Sequence, residues 1–253
     1  MIVGASDYSS YTGRAYIYFG GVAMDNTADV TMTGEQIGDS FGISVSSAGD
    51  VNGDGYSDVI VGDGRYFTSG RAYIYFGGVS MNNIADVTMT GEALGDFFGI
   101  SVSSAGDVNG DGYSDVIVGA SRYFPSGRAY IYFGGVAMNN TADVIMTGEA
   151  LGDDFGNSVS SAGDVNGDGY SDVIVGDGRY FTSGRAYIYF GGVSMNNIAD
   201  VTMTGETTNN YFGSSVSSAG DVNGDGYSDV IVGASAALIT SDTGRAYIYF
   251  GGH

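Results

Sequence analysis

The clearest chemistry lies in nine residues, Asp50-Val51-Asn52-Gly53-Asp54-Gly55-Tyr56-Ser57-Asp58, which return unchanged from Asp107, Asp164 and Asp221. Oxygen side chains fall at positions 1, 3, 5 and 9, with a main-chain carbonyl at position 7. That alternation lets a tightly curled segment aim successive ligands at one hard cation. The predicted donor sets are Asp50, Asn52, Asp54, the Tyr56 carbonyl and Asp58; Asp107, Asn109, Asp111, the Tyr113 carbonyl and Asp115; Asp164, Asn166, Asp168, the Tyr170 carbonyl and Asp172; and Asp221, Asn223, Asp225, the Tyr227 carbonyl and Asp229. Three carboxylates and an amide oxygen suit Ca2+ better than Mg2+, while zinc or copper would want imidazole or thiolate. Asp-Gly and Asn-Gly also form hairpin turns without a metal. A turn needs only one such residue, however, and three carboxylates per loop would repel one another without a cation. Four calcium sites are therefore expected.

An EF-hand loop carries a bidentate Glu at position 12 and is flanked by helices. Position 12 here is Val61, Val118, Val175 or Val232, which leaves the ninth-position Asp to close the site. The first loop runs straight into Val59-Ile60-Val61-Gly62, a β-branched run that reads as a buried strand. The loops thus join strands.

A chain of 253 residues with 43% hydrophobic content can bury a core. Its net charge of −21, with eight arginines and no lysine, disfavours nucleic acid and anionic membranes as partners. Four bound calcium ions would leave about −13, so the surface stays acidic. Cysteine is absent, which removes disulfides and thiol chemistry. Sites of modest affinity fill where free calcium is millimolar, which points to an extracellular or cell-surface setting. No secretory leader or membrane-spanning run is visible, and Met1-Ile2-Val3-Gly4 matches the mid-repeat Val230-Ile231-Val232-Gly233, as if cut from a longer chain.

The loops recur every 57 residues, in the range of propeller blades and solenoid turns. Four strand-like pieces make up each period. The first, Phe41–Ala48, leads into the loop, and the second is the Val-Ile-Val-Gly run after it. The third, Gly13–Gly20 and its copies from Gly70, Gly127, Gly184 and Gly244, alternates Ala, Ile and Phe with two tyrosines, so both its faces must be covered. The fourth, Ala28–Glu35 and its copies from Ala85, Ala142 and Ala199, carries Thr and Asp and reads as the outer, more exposed strand. No helical periodicity appears. Residues 62–92 and 176–206 are identical, which suggests duplication of a two-repeat unit.

The run Phe-Gly-x-Ser-Val-x-x-Ala-Gly-Asp-Val-Asn-Gly-Asp-Gly-Tyr-x-Asp-Val-Ile-Val-Gly-Ala resembles the FG-GAP repeat of the integrin alpha-subunit β-propeller, and the resemblance covers essentially all of residues 1–253, a single domain. It implies four-stranded antiparallel blades, calcium on the lower face between first and second strands, and ligand contact on the opposite face. Two features depart from it: Gly-Ala-Pro becomes Gly-Ala-Ser at Gly119 and Gly233 and Gly-Asp-Gly at Gly62 and Gly176, and the resembled heads have seven blades. The pieces amount to about five blades with incomplete ends, and a closed five-bladed ring is expected because closure removes free edges. The alternative is four closed blades, with Ala28–Glu35 completing the last sheet and extra N-terminal strands left to pair elsewhere, a route to self-association.

Catalysis has little support. Without Cys or Lys, and with the lone histidine at His253, no Ser-His or Cys-His pair can be assembled. A glycan-processing enzyme would need paired carboxylates, yet most are committed to the loops. Glu35, Glu92, Glu149 and Glu206 stay free and read as solubilising charge. Arg14, Arg71, Arg128, Arg185 and Arg245 open every third strand and read as structural, bridging blades or pairing with loop carboxylates. The connections between second and third strands carry Arg65-Tyr66-Phe67, Arg122-Tyr123-Phe124 and Arg179-Tyr180-Phe181, a composition suited to gripping a protein or glycan ligand. The competing reading is that these aromatics fold down as a cap. The last copy lacks the triplet, and Asn139-Asn140-Thr141 fits a glycosylation sequon. Together these features describe a calcium-stabilised recognition or adhesion module, with a purely structural repeat as the alternative.

Overall fold

The structure is a computed structural model that describes all residues except 23, 65–68, 179–182, 209, 236–242 and 253. It is all-β. Five antiparallel sheets succeed one another along the chain: β1 (Ile2–Ala5), β2 (Arg14–Ile17) and β3 (Val30–Thr33); β4 (Phe41–Gly49), β5 (Asp58–Asp63), β6 (Arg71–Tyr75) and β7 (Val87–Thr90); β8 (Phe98–Gly106), β9 (Asp115–Ala120), β10 (Arg128–Tyr132) and β11 (Val144–Thr147); β12 (Phe155–Gly163), β13 (Asp172–Asp177), β14 (Arg185–Tyr189) and β15 (Val201–Thr204); and β16 (Phe212–Gly220), β17 (Asp229–Ala234) and β18 (Arg245–Tyr249). The chain meanders through each sheet in order, so each is one blade of an incomplete propeller.

Neighbouring blades pack face to face. Ala72, Ile74 and Met89 of the second blade enclose a core with Phe98, Val118, Tyr130 and Tyr132 of the third, and the same arrangement recurs at the other junctions. This explains why the third strands lack a polar face: Ala and Ile look forward to the next blade, and the two tyrosines look back. Phe98 meets Tyr130 and Tyr132 edge-on, with ring centroids 5.3 and 6.4 Å apart. The fourth strands are less exposed than expected, because Met32, Met89 and Met146 alternate inward as part of the junction.

Glycine sets the distance between blades. A Cβ added at Gly62, Gly119 or Gly176 would overlap the carbonyl oxygen of Gly99, Gly156 or Gly213 on the next blade. Parallel bridges Gly13–Phe41, Gly70–Phe98, Gly127–Phe155 and Gly184–Phe212 stitch the same junctions.

Among the described residues, neither predicted closure is seen. β3 pairs with β2 of its own sheet and does not complete the last one. Closure of a five-bladed ring would cover the end sheets, yet Val3 is 41% and Ile248 51% exposed, whereas their counterparts Val118 and Ile131 are fully buried. The physical reason is that the first sheet lacks the strand whose phenylalanine fills each junction from behind.

Gly119→Ala is expected to lower stability in urea by more than about 3 kcal/mol, because the two backbones must separate. Gly20→Ala, which has open space around it, should stay within about 0.5 kcal/mol. Equal losses would show that these glycines do not set the blade spacing.

Candidate metal centre and the opposite face

Each predicted calcium loop caps the turn between the first and second strands of a blade. In the first, Asp50 Oδ1 accepts hydrogen bonds from the amides of Gly53 (2.7 Å) and Asp54 (3.1 Å), and Oδ2 accepts from Gly55 (2.9 Å). Asn52 Oδ1 and Asp54 Oδ1 accept from the amides two residues on. The other three copies repeat this pattern. Among the described residues no three acidic, histidine or cysteine side chains converge on one point; the loop oxygens face the loop's own amides. Asp50 Oδ1 thus accepts two hydrogen bonds, whereas Asp50 Oδ2 and Asp54 Oδ1 each accept one from the loop amides and keep a second lone pair.

The ninth-position aspartates sit deepest. Asp58, Asp115, Asp172 and Asp229 are fully buried. Asp115 Oδ2 accepts from Val108 N (2.8 Å), and Oδ1 accepts from Gly134 N (2.8 Å) in the connection after the third strand. Burial pushes the Asp115 carboxyl up to about 7, opposed by those amides and reinforced by the charges of Asp111 and Asp107. Asp172 is raised to about 6 by the same causes. The donors are of the all-oxygen type that a hard cation takes, and a cation would supply the positive charge these loops lack, but the three carboxylates do not converge on one point in this structure.

The sequence did not reveal that the next blade completes the first three loops. Ser114 N and Gly135 N donate to the carbonyls of Asp50 (3.0 Å) and Val51 (2.7 Å), and the same pair of bonds recurs at the loops from Asp107 and Asp164. The Tyr113 ring lies so close to Gly53 that a Cβ there would press on it, and Gly53 adopts φ +77°. The position-7 tyrosines Tyr113, Tyr170 and Tyr227 therefore set their rings against the preceding loop.

On the opposite face, the triplets Arg65-Tyr66-Phe67 and Arg179-Tyr180-Phe181 lie outside the described residues. Arg122-Tyr123-Phe124 divides its roles. The Arg122 guanidinium lies over the Phe97 ring (4.7 Å), and Arg128 covers the Tyr123 ring (3.8 Å), which packs on the blade core. Phe124 projects, 79% exposed, beside Leu151. These residues, with Asp153 and Asp154, line an open cleft of about 320 Å³.

The supposedly free glutamates are not free. Arg71 donates to Glu35 (2.6 Å), Arg128 to Glu92 (2.9 Å), Arg185 to Glu149 and Arg245 to Glu206 (2.6 Å), each pair crossing a junction. Arg14, in the first sheet, lies over the Tyr8 ring at 3.8 Å. A second set of residues went unnoticed: Asp39, Asp96, Asp153 and Asn210, all buried. Asp96 accepts from the amides of Ala93 and Phe98, folding the connection into each first strand. The available signal was their recurrence two residues before every Phe-Gly.

In calcium-free buffer, Asp115→Ala should cost about 2–4 kcal/mol, because one buried and one part-buried amide lose their acceptor. Asp111→Ala, at an exposed position, should cost less than about 1 kcal/mol. Chemical denaturation of both variants checks the difference; similar values would remove the bracing role of the ninth aspartate.

The FG-GAP repeat model matches residues 41–75, 98–132, 155–189 and 212–249, in each case the first three strands of a blade with the loop between them. Integrin alpha-5 of Xenopus laevis is 31% identical over 214 residues, covering 77% of this chain and 20% of that protein. Integrin alpha-4 of Xenopus laevis is 30% identical over 92% of this chain and 23% of its own length. Integrin alpha-6 of Gallus gallus is 36% identical over 56% of this chain and 14% of its own. The chain thus spans about a fifth or less of these relatives, apart from 23% of integrin alpha-4. With four matched repeats over more than half its length, the chain belongs to the FG-GAP repeat family.

Proposed function

We propose that this chain is a calcium-stabilised recognition module of the adhesion type, acting outside the cell or at its surface and not as an enzyme. It binds a protein or glycan through the face opposite the loops. Support for the ligand side comes chiefly from Phe124, a large apolar side chain held in solvent over a cleft by a framework of stacked Arg and aromatic residues. Such an anchor beside a charged rim has the composition of a binding hot spot. The likeness to integrin alpha subunits supports the module's class. Among the described residues no helix is long and apolar enough to cross a membrane.

Calcium would be held by Asp50, Asn52, Asp54, the Tyr56 carbonyl and Asp58, and by their counterparts in the other loops. When bound it supplies the charge that lets each carboxylate cluster stay ionised, and it stiffens a turn already shared by two blades. The chain's own residues position the ligand face: Asp96 shapes the upper connection, and Arg128 holds Tyr123 beneath it.

Each loop filled at about a hundred times its Kd adds ~2.7 kcal/mol to stability. Calcium should therefore raise Tm progressively with its concentration, and a chelator should reverse the rise; a melting curve indifferent to both would remove the metal from this reading. A glycan and protein array probed with and without calcium identifies the ligand class. Phe124→Ser should abolish capture with Tm unchanged, and retained capture would exclude this face.

A further inference from the structure

The chain's four Asn-Gly dipeptides, Asn52-Gly53, Asn109-Gly110, Asn166-Gly167 and Asn223-Gly224, all lie in the loops between first and second strands. Asn-Gly is the dipeptide most prone to modify itself, because glycine puts no side chain in the way of its own amide nitrogen. That nitrogen attacks the asparagine Cγ and closes a five-membered imide. The Cγ–Nδ2 bond breaks, and ammonia leaves with the proton that the glycine amide gives up. Water then adds to either imide carbonyl, which leaves aspartate or, with the main chain rerouted through the side chain, isoaspartate. Water is the only co-reactant, and the four glycines are exposed to it.

In each loop the atoms that must react are held by hydrogen bonds. The nucleophile Gly53 N donates to Asp50 Oδ1 (2.7 Å), Asn52 Oδ1 accepts from Asp54 N (2.8 Å), and the leaving Nδ2 donates to Asp54 Oδ2 (3.1 Å). The same three bonds measure 2.7, 2.9 and 2.9 Å around Asn109 and again around Asn166, and 2.6, 2.9 and 2.7 Å around Asn223. Charge acts in the same direction. Ring closure requires the glycine amide to lose its proton, and the carboxylates at positions 1 and 5 disfavour a further negative charge beside them. In the first three loops the tyrosine ring of the next blade also lies against that glycine, which has φ +77° in each, and hinders rotation of the Asn-Gly peptide.

We propose that Asn52, Asn109, Asn166 and Asn223 are latent self-modification sites that the closed loop keeps silent, and that the first-position aspartate is the residue that keeps them so. Asp50 is a positioning residue in this respect: it accepts the amides of Gly53, Asp54 and Gly55, and its removal frees the nucleophile. Opening a loop releases the reaction, and closing it again does not undo the product. Aspartate adds a negative charge to a loop that already carries three, and isoaspartate adds a methylene carbon to the main chain of a turn whose hydrogen bonds require its present length. An altered loop thus records that it has opened. The proposal concerns the loop as it folds without a cation, and is independent of the calcium and ligand readings.

The test incubates the whole chain in mildly alkaline buffer with a chelator and follows each site by mass spectrometry as an amide becomes an acid. With eight arginines and no lysine, trypsin returns the loops in four separate peptides, residues 15–65, 72–122, 129–179 and 186–245, and fragmentation locates the change. The native chain should convert at least about tenfold more slowly than the same chain unfolded in urea, and Asp50→Ala should speed Asn52 by at least about tenfold relative to Asn109 and Asn166 in the same molecule. Asp54→Ala, at an exposed position, releases the Asn52 Nδ2 and should speed Asn52 with the same selectivity. It decides the matter if Asp50→Ala unfolds and all the loops convert together. Native conversion as fast as in urea, or Asn52 keeping pace with Asn109 and Asn166 in either variant while circular dichroism shows it folded, overturns the proposal.

Discussion

The structure depends on how closely adjacent blades approach. At Gly62, Gly119 and Gly176 the backbone of one blade meets a carbonyl oxygen of the next with no room for a side-chain carbon. Everything apolar is arranged around that approach. The Ala-Ile face of each third strand reaches the Phe and Tyr face of the next blade only because the second strand of one blade touches the first strand of the next. Close packing of this kind makes the junction, and not the single sheet, the unit in which the core is built. Exposed Arg–Glu pairs across the same junctions contribute little energy, between about 0 and 1 kcal/mol each. Their effect is to align the upper rims.

The loops brace the blades with the same residues that are proposed to hold a cation. Asp58, Asp115, Asp172 and Asp229, the proposed ninth-position ligands, each accept two main-chain amides that tie the lower connections together. The burial that raises the Asp115 carboxyl comes from this bracing role. Tyr113 and its counterparts likewise join one loop to its predecessor. A substitution made here to test the proposed cation binding therefore also disturbs blade packing.

Much of the fold was legible because its signals are local and repeated. The period, the four-strand order and the apolar two-faced third strand follow from alternation within a few residues, and identical repeats reinforce each reading. Pairings between residues far apart in sequence were not legible. Nothing near Glu35 indicates that its partner is Arg71, 36 residues on and in another sheet. Strand counting favoured a closed ring, but a count does not say which edge meets which, and β3 stays with β2. On the upper face the Arg-Tyr-Phe composition fits contact and capping equally, and at residues 122–124 both occur: Tyr123 is held down by Arg128 while Phe124 projects. The buried Asp96 series carried a usable signal, its fixed place before Phe-Gly, which the more conspicuous loops overshadowed.

The bond from Ser114 N to the Asp50 carbonyl also gives the molecule a direction in time. A loop leaves the ribosome with its own turn formed but its outward carbonyls unclaimed, and the donors that claim them are encoded one repeat later. At about 5–20 residues per second that delay is several seconds. During synthesis the most recently emerged loop is always the unfinished one, and each repeat matures its predecessor, so assembly runs from the N-terminal blade outward as a relay.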